Sequence, residues 1–481
     1  MVKFLEFLVT LIVVCVALLS GCRDEPTAPA QTPTGLEITA DGFTILSGSA
    51  LQLRAVVTRK DASTEDVTED AVWSNSPGTV GSVNDEGRFF AFQRQSGRET
   101  ITAQFQGQTA TAEICVTPPV QEVAILPLQP ILMAGESLQF KAIATFEDGS
   151  QEFVTEDANW SVSPGAMGSI ITAGLLQSQG VGTAVVKFSH QLDALNAPVL
   201  SDSAVVSIVA SEAASLVGLF DMVEIPAGSF IMGDNQGNAD EQPEHEVFVD
   251  RFLMSKFEIT NAQYVDFLNA ALSRQAVSVE GNVIIGTHGR FPNKVYLLLI
   301  GSQNLPPIIQ FTEGQFNVAA GNEDDPVVKM SWYGAMAFGD FYGLRLPTEA
   351  EWEKASRGGQ RLNYGTHDGS ISQEVANCGG GSIVEVGSFA PNPFGLHDMA
   401  GNAAEFVFDI YDPNFYSISP SNNPFGPGPQ EPLSDVSGLV VWRGGSFLGN
   451  SPSCRSSFRG AVRRLPDIFA GEDAFGFRVA K

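Results

Sequence analysis

The chain has 481 residues, too many for one hydrophobic core, since compact domains usually hold roughly 100–200 residues. Hydrophobic residues make up 43% and charged residues 17%, which excludes a disordered, charge-rich chain. Asp and Glu outnumber Lys and Arg by 55 to 27, for a net charge of −28, and such a surface repels phosphate backbones, so no nucleic-acid partner is expected.

At the N-terminus, Lys3 precedes an apolar run from Leu8 to Leu19, and Leu19-Ser20-Gly21-Cys22 closes it with small residues before a cysteine. This is the pattern of an export signal over residues 1–21, and the run is shorter than the ~20 residues that span a bilayer. The closing tetrapeptide resembles the bacterial lipobox. That resemblance implies lipidation at Cys22, a membrane partner through the lipid, and a place in the bacterial cell envelope, with the outer membrane or cell surface favoured. Residues 22–34, rich in Pro and Thr, read as a tether. With Cys15 in the signal and Cys22 acylated, Cys115, Cys378 and Cys454 are left. A Cys378–Cys454 disulfide is one possibility and three buried thiols another.

An internal repeat follows. Leu51-Gln52-Leu53-Arg54-Ala55 returns as Leu138-Gln139-Phe140-Lys141-Ala142, Thr68-Glu69-Asp70-Ala71 as Thr155-Glu156-Asp157-Ala158, and Trp73 as Trp160, at one offset of 87 residues (160 − 73). An unbroken offset means two tandem copies of one domain, residues 35–118 and 119–210. Each copy alternates apolar and polar residues between turn signals, the pattern of half-buried strands in a two-sheet sandwich. The copies resemble bacterial immunoglobulin-like domains of the group-2 type, which implies spacers with Trp73 and Trp160 in their cores.

Residues 219–481 carry separated motifs of another kind: Ile225-Pro226-Ala227-Gly228-Ser229-Phe230, Arg345-Leu346-Pro347-Thr348-Glu349-Ala350-Glu351-Trp352, Trp442-Arg443-Gly444-Gly445-Ser446-Phe447 and Gly476-Phe477-Arg478. Thr260 predicts an N-cap for a helix that turns Tyr264 and Phe267 inward, a second helix starts near Ser331, and Thr348 with Glu351 forms a capping box for a third. These motifs resemble the formylglycine-generating enzymes, or sulfatase-modifying factors. The resemblance implies a C-type-lectin-like α+β domain after the two all-β sandwiches.

In that family two cysteines of the final segment hold copper(I). Alignment on Gly444-Gly445-Ser446 puts the second on Cys454, the one matched catalytic residue, and the first on Gly449, which offers no ligand, so copper is not expected. The family's calcium segment matches residues 396–405 and implies Asp398 and Glu405 as carboxylate ligands, with Gly401 and Ala403 giving backbone carbonyls. Ser446, Phe447, Phe458 and Arg459 lie on the segment that lines the pocket in relatives. The expected function is a lipid-anchored surface protein presenting a non-oxidase domain that binds an extracytoplasmic protein, peptide or glycan. The alternatives are a copper-dependent oxidase acting on sulfatase cysteines and a structural lipoprotein of a surface or motility assembly.

Overall fold

A computed structural model describes residues 35–59, 62–93, 95–147, 151–156, 158–191, 199–210, 215–301, 307–426, 439–463 and 474–481. The predicted export signal, Cys22 and the tether lie outside the described residues. By mutual contact the chain divides into two compact units, one of residues 1–122, 144–150 and 189–200 and the other of residues 123–143, 151–188 and 201–481.

The repeat read from the sequence reappears as repeated topology. The first copy has a four-stranded sheet in the order Thr44–Leu46, Gln108–Thr117, Gly97–Phe105 and Val72–Ser76, and the second has Ile131–Met133, Val199–Val209, Gly182–Gln191 and Asn159–Ser163. A three-stranded sheet repeats too, as Ala50–Gln52, Arg88–Ala91, Gly81–Val83 and then Ser137–Gln139, Leu175–Ser178, Gly168–Ile170. The inward apolar positions of the first copy meet in one core around Leu53, Ala55, Phe89, Ile101 and Ile114, all fully buried. The shared motif does the same job twice. Thr68 Oγ1 accepts from the Ala55 N–H and the Thr68 carbonyl from Trp73 Nε1, at 3.0 and 2.9 Å; Thr155 repeats both with Ala142 and Trp160, at 2.9 and 3.0 Å.

The C-terminal domain mixes short helices with small sheets. Thr260 caps the Asn261–Ser273 helix with a capping box closed by Gln263, and Tyr264 and Phe267 point inward as expected. Ser331 caps Trp332–Tyr342, and Thr348 with Glu351 caps Glu349–Ser356. A four-stranded sheet runs in the order Gly460–Arg463, Leu439–Arg443, Ala404–Ile410, Phe475–Phe477, with the last pair parallel. Among the described residues no helix is long and apolar enough to cross a membrane.

The Glu349–Ser356 helix joins these pieces through charge. Glu349 and Glu353, one turn apart and fully buried, both bond Arg443, at 2.8 and 2.7 Å. Arg459 adds a bidentate pair to Glu349 at 2.7 and 2.9 Å, and Arg357 grips Glu353 at 2.8 and 3.0 Å. Burial opposes ionisation of Glu353, yet Arg357 and Arg443 outweigh it and hold its pKa below the usual value. Asp409 behaves oppositely: burial, then the Glu349 charge, raises it to about 7, although it accepts the N–H of Glu349 at the helix N-terminus.

Removing one cation from this interior leaves uncompensated carboxylates. Arg443→Met is therefore expected to destabilise the domain by about 3–5 kcal/mol in denaturant unfolding. Arg59→Ala, which breaks an exposed pair with Glu65, is expected to cost less than about 1 kcal/mol. Equal effects of the two substitutions would remove the network from its central place.

Candidate functional site

The C-terminal segment from Arg443 to Arg459 is buried at both ends, at residues 443–447 and 456–459 apart from the half-buried Phe458, and loops out to solvent at residues 448–452. Arg443 leaves the sheet, and a turn follows at Gly444-Gly445, where Gly445 has φ +69° and a Cβ would lie 2.5 Å from Cys454 Sγ. Asn450 then caps the short 3-10 turn Ser451–Cys454. Cys454 is fully buried and forms a disulfide with Cys378, so of the two pairing possibilities left by the sequence the disulfide is the one realised. As a disulfide, Cys454 supplies no thiolate, and the catalytic role expected for it lacks its reactive group. At Gly449 an added Cβ would meet Ser453 Oγ at 2.8 Å and the Ser446 carbonyl at 3.0 Å, so that turn is shaped around a missing side chain.

The expected pocket residues have packing roles. Phe447 is fully buried with Val328, Ala403 and Ala474, and Arg459 is committed to Glu349, with its guanidinium 4.2 Å from the Tyr416 ring centre. Ser446 is buried and its hydroxyl accepts from the Leu448 N–H at 3.3 Å. Phe458 is half-buried against Trp442. Leu448 is the member of this segment that meets solvent as a large apolar side chain, at 42% exposure. Phe447 is thus spent on the core, while Phe458 and Leu448 keep part of their surface in solvent.

Of the expected calcium residues, Glu405 is bound to an arginine and Asp398 to a backbone N–H. Glu405 accepts from Arg478 Nε at 2.7 Å and from a terminal nitrogen of the same guanidinium at 2.8 Å, and also from Trp352 Nε1 at 2.7 Å. Asp398, at φ +60°, accepts the Gly387 N–H through Oδ2 at 2.7 Å, while its buried Oδ1 has no hydrogen-bond donor among the described residues. Glu258 joins them, accepting the Ala403 N–H at 2.8 Å and Asn402 Nδ2 at 2.9 Å. Gly401 lies against the Asn377 carbonyl. Burial, reinforced by Asp398 and Glu405, raises the Glu258 pKa well above the carboxylate range, and burial raises Asp398 to about 6. Glu405 thus pairs with Arg478, while Glu258 and Asp398 feel the same guanidinium only through space, an arrangement short of positive charge. Among the described residues no three His, Cys, Asp or Glu side chains converge as a ready metal cage, so any cation here would draw on backbone oxygens as well.

Glu258 and Asn402 were not singled out from the sequence. Asn402 is fully buried and bonds Asn377, Val384 and Glu258, tying three loops to the segment that carries Asp398 and Glu405. The available signal was an acid set between two apolar residues in Phe257-Glu258-Ile259, a position where charge needs a partner.

Residues 210–481, more than half of the chain, match the family described as the sulfatase-modifying factor enzyme 1-like domain. The formylglycine-generating enzyme of Streptomyces coelicolor is 32% identical over 293 residues, covering 54% of this chain and 88% of that protein. The serine/threonine-protein kinase pkn1 of Chlamydia caviae is 35% identical over 262 residues, but the chain spans only 38% of its length. Among solved structures, PvdO from Pseudomonas aeruginosa aligns at 25% identity with a TM-score of 0.38, covering 54% of this chain and 93% of that one. Through residues 210–481, the chain belongs to the sulfatase-modifying factor enzyme 1-like family.

Proposed function

We propose that the chain is a lipid-anchored, extracytoplasmic protein in which two immunoglobulin-like copies carry a family domain that binds a protein, peptide or glycan and performs no copper oxidation. The observation that carries this reading is the state of the two positions where relatives have thiolates. Gly449 has no sulfur, and the sulfur of Cys454 is bonded to Cys378. Copper(I) favours two thiolates, and these residues do not fit it. The likeness to the Streptomyces coelicolor formylglycine-generating enzyme, over most of that protein's length, supports a second reading as an oxidase acting on sulfatase cysteines. The two readings part at a single assay. With Cu(I) supplied, the full chain is expected to leave a Cys-containing sulfatase peptide unoxidised; turnover at the rate of two-cysteine relatives would replace the binding reading with the enzymatic one.

Calcium belongs to the same proposal. The orphaned Asp398 Oδ1 and the excess of negative charge near Arg478 support a hard divalent cation, with Asp398 and Glu405 as the carboxylate ligands and the Gly401 and Ala403 backbone carbonyls as the further ligands that the family resemblance implies. Such an ion would hold the loops around Asn402 together. Calcium at a hundredfold excess over its dissociation constant is expected to stabilise the domain by about 2.7 kcal/mol, read as a rise in Tm. Asp398→Ala should abolish the rise, and identical melting in calcium and in chelator would refute the ion.

Anchoring rests on Cys22. Cys22→Ala is expected to move the protein from the membrane fraction to the soluble fraction and to block signal removal. A variant that is still processed and membrane-bound would refute the lipid.

A further inference from the structure

The two repeat copies share a topology but differ sharply at one loop. Subtracting the offset of 87 residues, Leu126, Pro127, Leu128 and Gln129 of the second copy correspond to Thr39, Ala40, Asp41 and Gly42 of the first. In the first copy Thr39 is half-buried and Asp41 is exposed, as a solvent-facing loop requires. In the second copy both leucines are buried, at 8% exposure each. A polar loop has become apolar in one of two otherwise parallel copies, and the difference calls for a surface that only the second copy meets.

That surface lies on the C-terminal domain. Leu126 and Leu128 are buried beside Phe267 and Ala271 of the Asn261–Ser273 helix, Phe341 of the Trp332–Tyr342 helix, and Val277 and Phe291, with which they line one groove. The cavity that they line together with those side chains measures ≈ 20 Å³, room for about one water molecule. Polar contacts fix the register at the rim. The Gln129 N–H donates to the Phe341 carbonyl at 3.0 Å, Asp202 Oδ2 lies 3.8 Å from His288 Nε2, and Lys481 Nζ lies 3.7 Å from Glu136 Oε1. A Cβ on Gly343 would come within 3.2 Å of Pro127 Cγ, so the helix end and the loop are in close contact.

We propose that this groove is a docking surface specialised for the second repeat copy, so that the second copy and the C-terminal domain act as one rigid unit and the first copy alone serves as a spacer. On this proposal the expectation that the copies are spacers applies to the first alone. The chemistry of recognition is apolar burial by the Leu126-Pro127-Leu128 tip, with direction supplied by the Gln129 hydrogen bond.

A protease site inserted after Ala210 in the full chain tests this. After cleavage, the fragment carrying both copies is expected to co-elute with the C-terminal fragment at micromolar concentration. Leu126→Ala with Leu128→Ala should weaken that association by about tenfold or more and speed hydrogen exchange in the Asn261–Ser273 and Trp332–Tyr342 helices. Thr39→Ala with Asp41→Ala, the corresponding change in the first copy, should leave both readouts unchanged. Separation of the wild-type fragments on cleavage overturns the proposal without depending on the folding of any variant.

Discussion

Two carboxylates one helical turn apart, Glu349 and Glu353, lie in the dry interior of the C-terminal domain, and their charge has to be met there. Three arginines meet it, two of them from the final segment of the chain. Arg443 is tied to both acids and Arg459 to Glu349, so the short helix and the distant C-terminal segment are held in one arrangement. Trp352, between them in the same helix, stacks under the Arg443 guanidinium at 5.4 Å and donates its indole N–H to Glu405 in the second cluster. One helix therefore couples the charge centre of the C-terminal segment to the acidic loop cluster around Asp398. A domain with so little regular secondary structure depends on such ties more than on sheet or helix extension.

Much of the fold was legible in the sequence because it rests on local chemistry. Helix caps are short-range, and Thr260, Ser331 and Thr348 start helices where their hydroxyls reach the next turn. The duplicated domain was legible because the offset between Trp73 and Trp160 is kept by the residues around them, and the Thr–Trp hydrogen bond repeats with it. What could not be read depends on pairs far apart in sequence. Glu258 finds Asn402 and Ala403 more than 140 positions on, and Glu349 finds Arg459 110 positions on. An acid in a motif shows that a charge is present, not which cation or backbone N–H will answer it. The same limit explains Phe447 and Arg459, which stand in the segment expected to line a pocket and are drawn inward by Val328 and Glu349.

The acidic loop cluster and the disulfide segment are held together by different chemistry. Around Arg478, Glu405 is paired with the guanidinium while Glu258 and Asp398 are held well above their ordinary pKa values, so negative charge there outweighs the one cation. Around Cys454 the tie is covalent: the partner of the cysteine is Cys378, on a loop whose backbone N–H groups at Gly379 and Gly381 also donate to the Ser446 and Phe447 carbonyls. One cluster is thus built on oxygen and the other on a cross-link, and activity is decided at such sites rather than by the fold that carries them.

The Cys378–Cys454 bond spans 76 residues, and closing a loop of that length removes chain entropy from the unfolded state worth about 4–5 kcal/mol in the loop-closure model. That is a large share of a domain's usual stability. Protein made in a reducing cytoplasm would lack the bond and carry two buried thiols in its place, with the turn around Gly445 held by hydrogen bonds alone. The redox history of a preparation therefore decides which form of the C-terminal segment is under study, and samples from oxidising and reducing hosts are to be treated as two different materials.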